Sequence, residues 1–142
     1  MSEAALAREF YEQKYNCAEA AWLGMSGHLS QAERDLGLKL MGGFGGGVAS
    51  GGLCGALAGA IAGLGLYLGR TMGEPRADQL RTVTKQLVEA FQAKYGSMNC
   101  CDIKPAGDDY RATCAGYVEF CVETAIQLLD EALDADDDGD CG

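Results

Sequence analysis

The sequence predicts an all-α fold: a single-domain bundle of about five helices around a buried, glycine-rich central helix. Two observations predict it. Apolar residues recur at intervals of three and four along most of the chain, and we find no convincing strand pattern. Capping-box patterns, which open helices, occur at Asn16–Glu19 and at Ser30–Glu33. We assign the helical domain to residues 1–133 and interpret 134–142 as an acidic, flexible tail.

The first part of the chain contains clear signals for helix ends. The first helix is predicted to follow Ser2 as its N-cap. A second helix, or a restart of the first, begins at Cys17 and ends near Gly27. The next helix opens after Ser30 and stops at Gly42, since glycine favours helix C-termini.

A glycine-rich loop over residues 42–52 precedes the predicted central helix. That helix places four glycines at spacings of four, which puts them on one ridge where another backbone can approach closely. They are Gly51, Gly55, Gly59 and Gly63. The apolar stretch 53–68 has about 16 residues, fewer than the roughly 20 that span a membrane. We therefore predict a buried core helix and no membrane insertion.

Two longer helices are predicted in the second half of the chain. One opens at Pro75 or Asp78 and ends at Gly96. A connector then leads to a last helix over about 109–134, with Cys121 on its apolar inner stripe.

The net charge and the composition of the first residues restrict the partners and the location that we expect. The net charge is −10, which opposes binding to nucleic acids and to anionic membranes. The first residues lack a basic segment followed by an apolar run, so we expect no signal peptide and a cytoplasmic location. Thiols stay reduced there unless they are catalytic, cluster-bound or sensing.

Cysteines are the main candidates for chemistry, because the chain has seven of them and one histidine, His28, which we expect at the surface. The odd number argues against a fully paired disulfide framework. Cys54 follows the glycine loop at the start of a helix, where free amides and the helix dipole stabilise an anion. We therefore predict a lowered pKa for Cys54. Cys17 has a similar position behind Asn16.

The remaining cysteines differ in how well their positions suit a functional role. Cys100 and Cys101 lie in a connector, and adjacent side chains diverge, so we expect only one of them to face a site. Cys114, near the start of the last helix, is a better ligand than Cys121, which we predict to be a core residue. Cys141 is interpreted as a spectator. There is no C-x-x-C motif, so neither a thioredoxin-type dithiol nor a zinc knuckle is indicated.

The order of these cysteines resembles the redox-active family named for the motif C-GCAxxG-C-C, over essentially the whole chain. The matching segments are Tyr15–Ala20, Phe44–Gly47, Gly51–Gly59, Gly96–Cys100, and Cys114 with Val118. The resemblance implies a helical bundle with redox activity and four functional cysteines: Cys17, Cys54, Cys100 and Cys114. The same module is similar to the iron–sulfur part of split-Soret cytochromes, whose haem segments are missing here.

Three hypotheses follow. The first is a small redox protein whose four cysteines bind an iron–sulfur cluster for electron transfer with a redox partner protein, with Gly51, Gly52 and Gly55 beside the cofactor. The second is a thiol–disulfide enzyme or sensor, with Cys54 as attacking thiol and Cys100 or Cys114 as resolving thiol. The third is a structural homodimer that uses the glycine ridge as its interface. Zinc binding is a lesser alternative, and Cys101 could replace Cys100 as the ligand.

Overall fold

The described part of the chain is helical, which confirms the all-α prediction. A computed structural model describes residues 1–140, with side chains as far as Ala135. Within residues 1–140 the backbone forms no strand beyond an isolated antiparallel bridge between Leu53 and Asn99. The helices are α1 Glu3–Glu12, α2 Cys17–Met25, α3 Gln31–Met41, α4 Gly55–Leu68, α5 Asp78–Tyr95, α6 Cys100–Ile103 and α7 Tyr110–Asp140.

The predicted caps account for several of these boundaries. The Asn16 side chain accepts a hydrogen bond from the Glu19 N–H at 2.8 Å, and the Glu19 carboxylate accepts one from the Asn16 N–H at 2.9 Å. A second capping box opens α3 at Ser30. Gly96 ends α5 with a φ of 87°, a left-handed conformation that glycine adopts without a Cβ clash.

The prediction of about five helices is wrong, because the described residues form seven. Lys14 adopts a left-handed φ of 81° and separates α1 from α2, so Cys17 opens an independent helix. The four-residue helix α6 is too short to leave a periodic signal. The central glycine helix begins at Gly55, later than the predicted ridge that starts at Gly51.

The centre of the molecule is shared by three helices. α4 packs against α2, α5 and α7, while α7 also contacts α1 and α2. Fully buried side chains from α4, α5 and α7 meet in one core: Leu57, Leu64, Leu87, Phe91, Val118 and Val122. No helix in the part of the chain that the structure describes is long and apolar enough to cross a membrane.

The glycine ridge of α4 faces α2 of the same chain. A Cβ placed on Gly59 would lie 2.3 Å from the Ala18 carbonyl oxygen, and one on Gly63 would lie 2.4 Å from the Met25 Cβ. The close approach of two backbones that the spacing predicted is therefore present. The interpretation of the ridge as a dimer interface is wrong, because α2 covers it; the homodimer itself stays a prediction.

The last helix extends beyond its predicted end near Asp134. Its bounds are Tyr110–Asp140, and the side chains beyond Ala135 are outside the described set. The acidic tail therefore stays a prediction. Cys141, predicted to be a spectator, lies outside the described residues.

Candidate functional site

Cys17 is held at the start of α2, directly against α4. The capping box at Asn16 orients this first turn, and the Cys17 side chain is half-buried. A Cβ placed on Gly55 would lie 2.3 Å from the Cys17 Sγ. Glycine at position 55 therefore gives the sulfur its space, which is how the glycine ridge contributes to the site.

A short backbone pairing brings Cys54 and Cys100 together. The Cys54 N–H donates to the Met98 carbonyl at 2.8 Å, and the Cys100 N–H donates to the Gly52 carbonyl at 2.6 Å. Leu53 and Asn99 form the antiparallel bridge between these bonds. Two cysteines that are 46 positions apart in the sequence thus share one short ladder.

The glycine loop folds into a left-handed turn beside Cys100. Four consecutive residues have positive φ angles, from 56° to 68°: Gly46, Gly47, Val48 and Ala49. A Cβ on Gly47 would lie 2.6 Å from the Cys100 Cβ. Since a non-glycine residue with positive φ is uncommon, Val48 and Ala49 mark a backbone conformation that the surrounding contacts must maintain.

Cys114 comes from the first turns of α7 and completes the set. Tyr11 of α1 lines the same space as Cys114. Tyr117, one turn further along α7, donates its hydroxyl to the Ile103 carbonyl at 2.6 Å. That bond ties α6, which begins at Cys100, to the helix that carries Cys114.

All four predicted cysteines line one small cavity, which we call the cysteine cavity. It has a volume of about 20 Å³, and its lining includes Cys17, Cys54, Cys100 and Cys114. A second, larger space of about 110 Å³, the adjoining cavity, shares Cys17, Cys100 and Cys114 with it. Within the described residues, no three or more cysteine, histidine, aspartate or glutamate side chains are grouped as ligands for a single metal ion.

The other described cysteines stand apart from this set. Cys101 is exposed, and its Sγ lies 3.8 Å from an Asp102 carboxylate oxygen. Of the adjacent pair, Cys100 faces the cavity, as the divergence of neighbouring side chains predicts. Cys121 is fully buried in the core, which confirms its predicted place. The six described cysteines are all free thiols.

The three glycines that were predicted to lie beside the cofactor also differ in their positions. Gly55 lines the cysteine cavity. Gly52 instead offers its carbonyl to the Cys100 amide. A Cβ on Gly51 would lie 3.0 Å from the Cys101 Cβ. Gly51 and Gly52 thus shape the segment that carries the two adjacent cysteines, and their contact with a cofactor stays a prediction.

Burial controls the acidity of these thiols, and the predicted lowering of the Cys54 pKa is wrong. Burial raises the pKa of Cys54 to about 12, although the backbone amides of Leu57 and Ala56 near the start of α4 oppose this rise. Burial also raises the pKa of Cys100 and of Cys114. The helix N-terminus does favour a Cys54 thiolate, but the loss of water outweighs it.

The alkylation rate of Cys54 should show this directly. In the metal-free protein we expect Cys54 to react with iodoacetamide far more slowly than a free thiol at pH 7 to 8, because the thiolate is the nucleophile. The rate should still rise between pH 9 and pH 11, where a free thiol with a pKa of about 8.5 has levelled off. Mass spectrometry of the modified peptide measures the rate at each pH.

The same measurement in denaturant is the control, since the unfolded chain should restore the profile of a free thiol. A fast reaction of the folded protein near neutral pH would contradict the burial argument and favour Cys54 as an attacking thiol. The slow reaction that we expect removes the basis of the thiol–disulfide hypothesis, which needs a reactive Cys54.

Sequence reasoning missed several side chains around the cysteines. They are Tyr11, Lys104, Arg111 and Tyr117. Lys104, Arg111 and Tyr117 lie within four residues of Cys100 or Cys114, while Tyr11 arrives from α1. No motif in the sequence indicates that these side chains surround the cysteines. The one available signal was charge, because Lys104 and Arg111 are basic residues close to Cys100 and Cys114 in an acidic chain.

No curated protein and no solved structure matches the chain. The family model described as putative redox-active protein (C_GCAxxG_C_C) matches residues 15–128. The matched range is most of the chain and contains all four cysteines of the cysteine cavity. The chain therefore belongs to the C_GCAxxG_C_C family.

Proposed function

We infer that this chain is an electron-transfer protein in which Cys17, Cys54, Cys100 and Cys114 bind an iron–sulfur cluster. One observation carries the proposal: four cysteines from four separate segments line a single cavity. Four cysteine thiolates are the usual ligand set of [2Fe–2S] and [4Fe–4S] centres. When bound, such a cluster supplies one-electron oxidation and reduction.

The donor set suits an iron–sulfur cluster in its chemistry and surroundings. Thiolate is the ligand that these clusters use. Gly55 and Gly47 let Cys17 and Cys100 approach the backbone closely, because a Cβ at either glycine would clash with them. The backbone amides of Ala56 and Leu57 lie at the start of α4 beside Cys54 and favour its thiolate. Hydrogen bonds from such amides to a bound ligand would stabilise it and affect the reduction potential.

The raised pKa values have a consequence for cluster binding. The thiols must lose their protons to become ligands, and burial opposes that loss while no cation is present. Binding of iron therefore has to compensate for the burial of the thiolates. We expect cluster assembly to release protons and to become more favourable as the pH rises.

The rest of the chain would protect the centre and select its partner. Ala56, Ile103 and Tyr117 form part of the wall of the cysteine cavity, which limits the access of water. The net charge of −10 favours a redox partner protein with a basic docking surface. Cysteines that serve as ligands must stay reduced, which requires a reducing compartment, and we propose the cytoplasm.

Anaerobic purification followed by iron, sulfide and zinc analysis tests the proposal. We expect iron and acid-labile sulfide bound to the protein, together with a visible absorption that bleaches on reduction. Chemical reconstitution with iron and sulfide should restore the absorption after the cluster is lost. A colourless protein that also fails to reconstitute, or a protein that binds only zinc, would contradict the proposal.

A further inference from the structure

The adjoining cavity is lined by two basic residues and by three of the four cysteines. Lys104 and Arg111 line it together with Cys17, Cys100 and Cys114, and its lining contains no aspartate or glutamate. In a chain with 21 acidic residues and 11 basic ones, such a lining concentrates positive charge at one place. Its volume of about 110 Å³ has room for a small molecule of a few non-hydrogen atoms.

Both cations are held by aromatic rings instead of carboxylates. The Lys104 ammonium lies 4.0 Å from the centre of the Tyr110 ring, and the Arg111 guanidinium lies 4.1 Å from that of Tyr11. Among the described residues, neither cation forms an ion pair with a carboxylate within 4.0 Å. Their charges are therefore not neutralised by a side-chain partner.

The position of the Arg111 guanidinium is well defined. Arg111 also donates hydrogen bonds to the carbonyls of Tyr11 and Tyr15, the latter at 3.3 Å. Those bonds leave the guanidinium charge in place while they restrict its movement. A site whose cations are ordered before binding loses less conformational entropy when an anion arrives.

We propose that the adjoining cavity is a binding site for a small anion, held by Lys104 and Arg111 against three of the four cysteines. The ligand class is a carboxylate or oxyanion of a few atoms, and a molecule in this cavity contacts the wall that carries Cys100 and Cys114. Anion binding does not depend on a cluster. A position of the bound anion next to the iron–sulfur cluster rests on the proposed function.

Alkylation with a charged and a neutral reagent tests anion binding in the metal-free protein. Iodoacetate is an anion and iodoacetamide is its neutral analogue, so the ratio of their rates reports the local preference for negative charge. We expect this ratio to be several-fold higher at Cys100 and Cys114 than at Cys101, which lines neither cavity. Formate should slow the iodoacetate reaction at Cys100, whereas its neutral analogue formamide should not.

Charge variants provide the matched comparison. Lys104→Gln should lower the rate ratio at Cys100 several-fold, and Lys104→Glu should lower it further. Lys94→Gln is the control, because Lys94 also lies over aromatic rings, those of Tyr95 and Phe120, but lines neither cavity. Arg111→Lys keeps the charge and should keep the ratio. The two Lys104 variants test the site without disturbing the hydrogen bonds of Arg111.

The outcomes separate this proposal from the cluster. Equal ratios at Cys100, Cys114 and Cys101, or no change in Lys104→Glu, would overturn the anion site whether or not iron binds. A clear anion preference in a protein that never assembles a cluster would support the anion site and contradict the cluster. If the Lys104 variants change only the reduction potential of the loaded protein, the cation balances cluster charge and the anion site is wrong.

Discussion

Substitution of Gly59 by alanine is expected to destabilise the fold by about 3 kcal/mol, the upper end of the usual cost of overpacking. The new Cβ would lie 2.3 Å from the Ala18 carbonyl oxygen and 2.7 Å from the Ala21 Cβ. Neither atom can move away by a change of rotamer, because one belongs to the backbone and the other is the first side-chain carbon. Helices α2 and α4 must therefore separate, and urea denaturation measures the loss of stability.

Gly65→Ala is the matched control in the same helix. No atom lies within 4 Å of a Cβ at position 65, so the substitution meets open space. Alanine is about 1 kcal/mol more favourable than glycine inside a helix, and we expect a gain of up to that amount. The two substitutions should thus change the free energy of unfolding in opposite directions. Equal effects would mean that α2 and α4 are not in close contact at Gly59.

The separation of α2 from α4 also matters for the site. Cys17 opens α2, and Cys54 directly precedes α4. The contact of the two backbones at Gly59 keeps these segments at a fixed distance. The glycine spacing is therefore a structural requirement of the cysteine cavity as well as of the core, which explains why an otherwise unfavourable residue recurs in a central helix.

Local signals in the sequence predicted most helix ends. Capping boxes depend on residues three apart, so Asn16 and Ser30 are readable without any tertiary information. The start of α4 was misplaced because the four-residue spacing continues into Gly51, which instead belongs to a turn with a φ of 74°. Spacing alone does not distinguish a glycine needed for close packing from one needed for a left-handed backbone.

The convergence of four cysteines on one cavity was predictable from the sequence, whereas their acidity was not. Position at a helix start, loop placement and the family resemblance together selected Cys17, Cys54, Cys100 and Cys114, and the structure places these four around one cavity. The pKa of Cys54 was predicted in the wrong direction because the helix dipole is a local effect, while burial depends on the whole fold. Lys104 and Arg111 were missed because only the fold brings these two cations into one cavity.

Cys100→Ala is expected to abolish the proposed iron–sulfur cluster, and Cys101→Ala is expected to leave it intact. The two residues are adjacent in the sequence, yet only Cys100 lines the cysteine cavity, whereas Cys101 is exposed. Alanine removes the sulfur and offers no oxygen in its place, so the variant tests the ligand itself. The iron and sulfide content of the anaerobically purified variants measures the effect, with the visible spectrum as a second readout.

The adjacent pair makes this test sharp, because both variants carry the same substitution within one short segment. Cys100 is only half-buried, so the alanine variant should fold, and circular dichroism checks that it does. If Cys101→Ala loses iron while Cys100→Ala keeps it, Cys101 is the ligand and the segment must rotate when the cluster binds. If both variants keep their iron, the centre does not depend on this segment, and the four-cysteine proposal fails. Loss of iron from Cys100→Ala alone would assign the third ligand, since no other described difference between the two positions concerns the cavity.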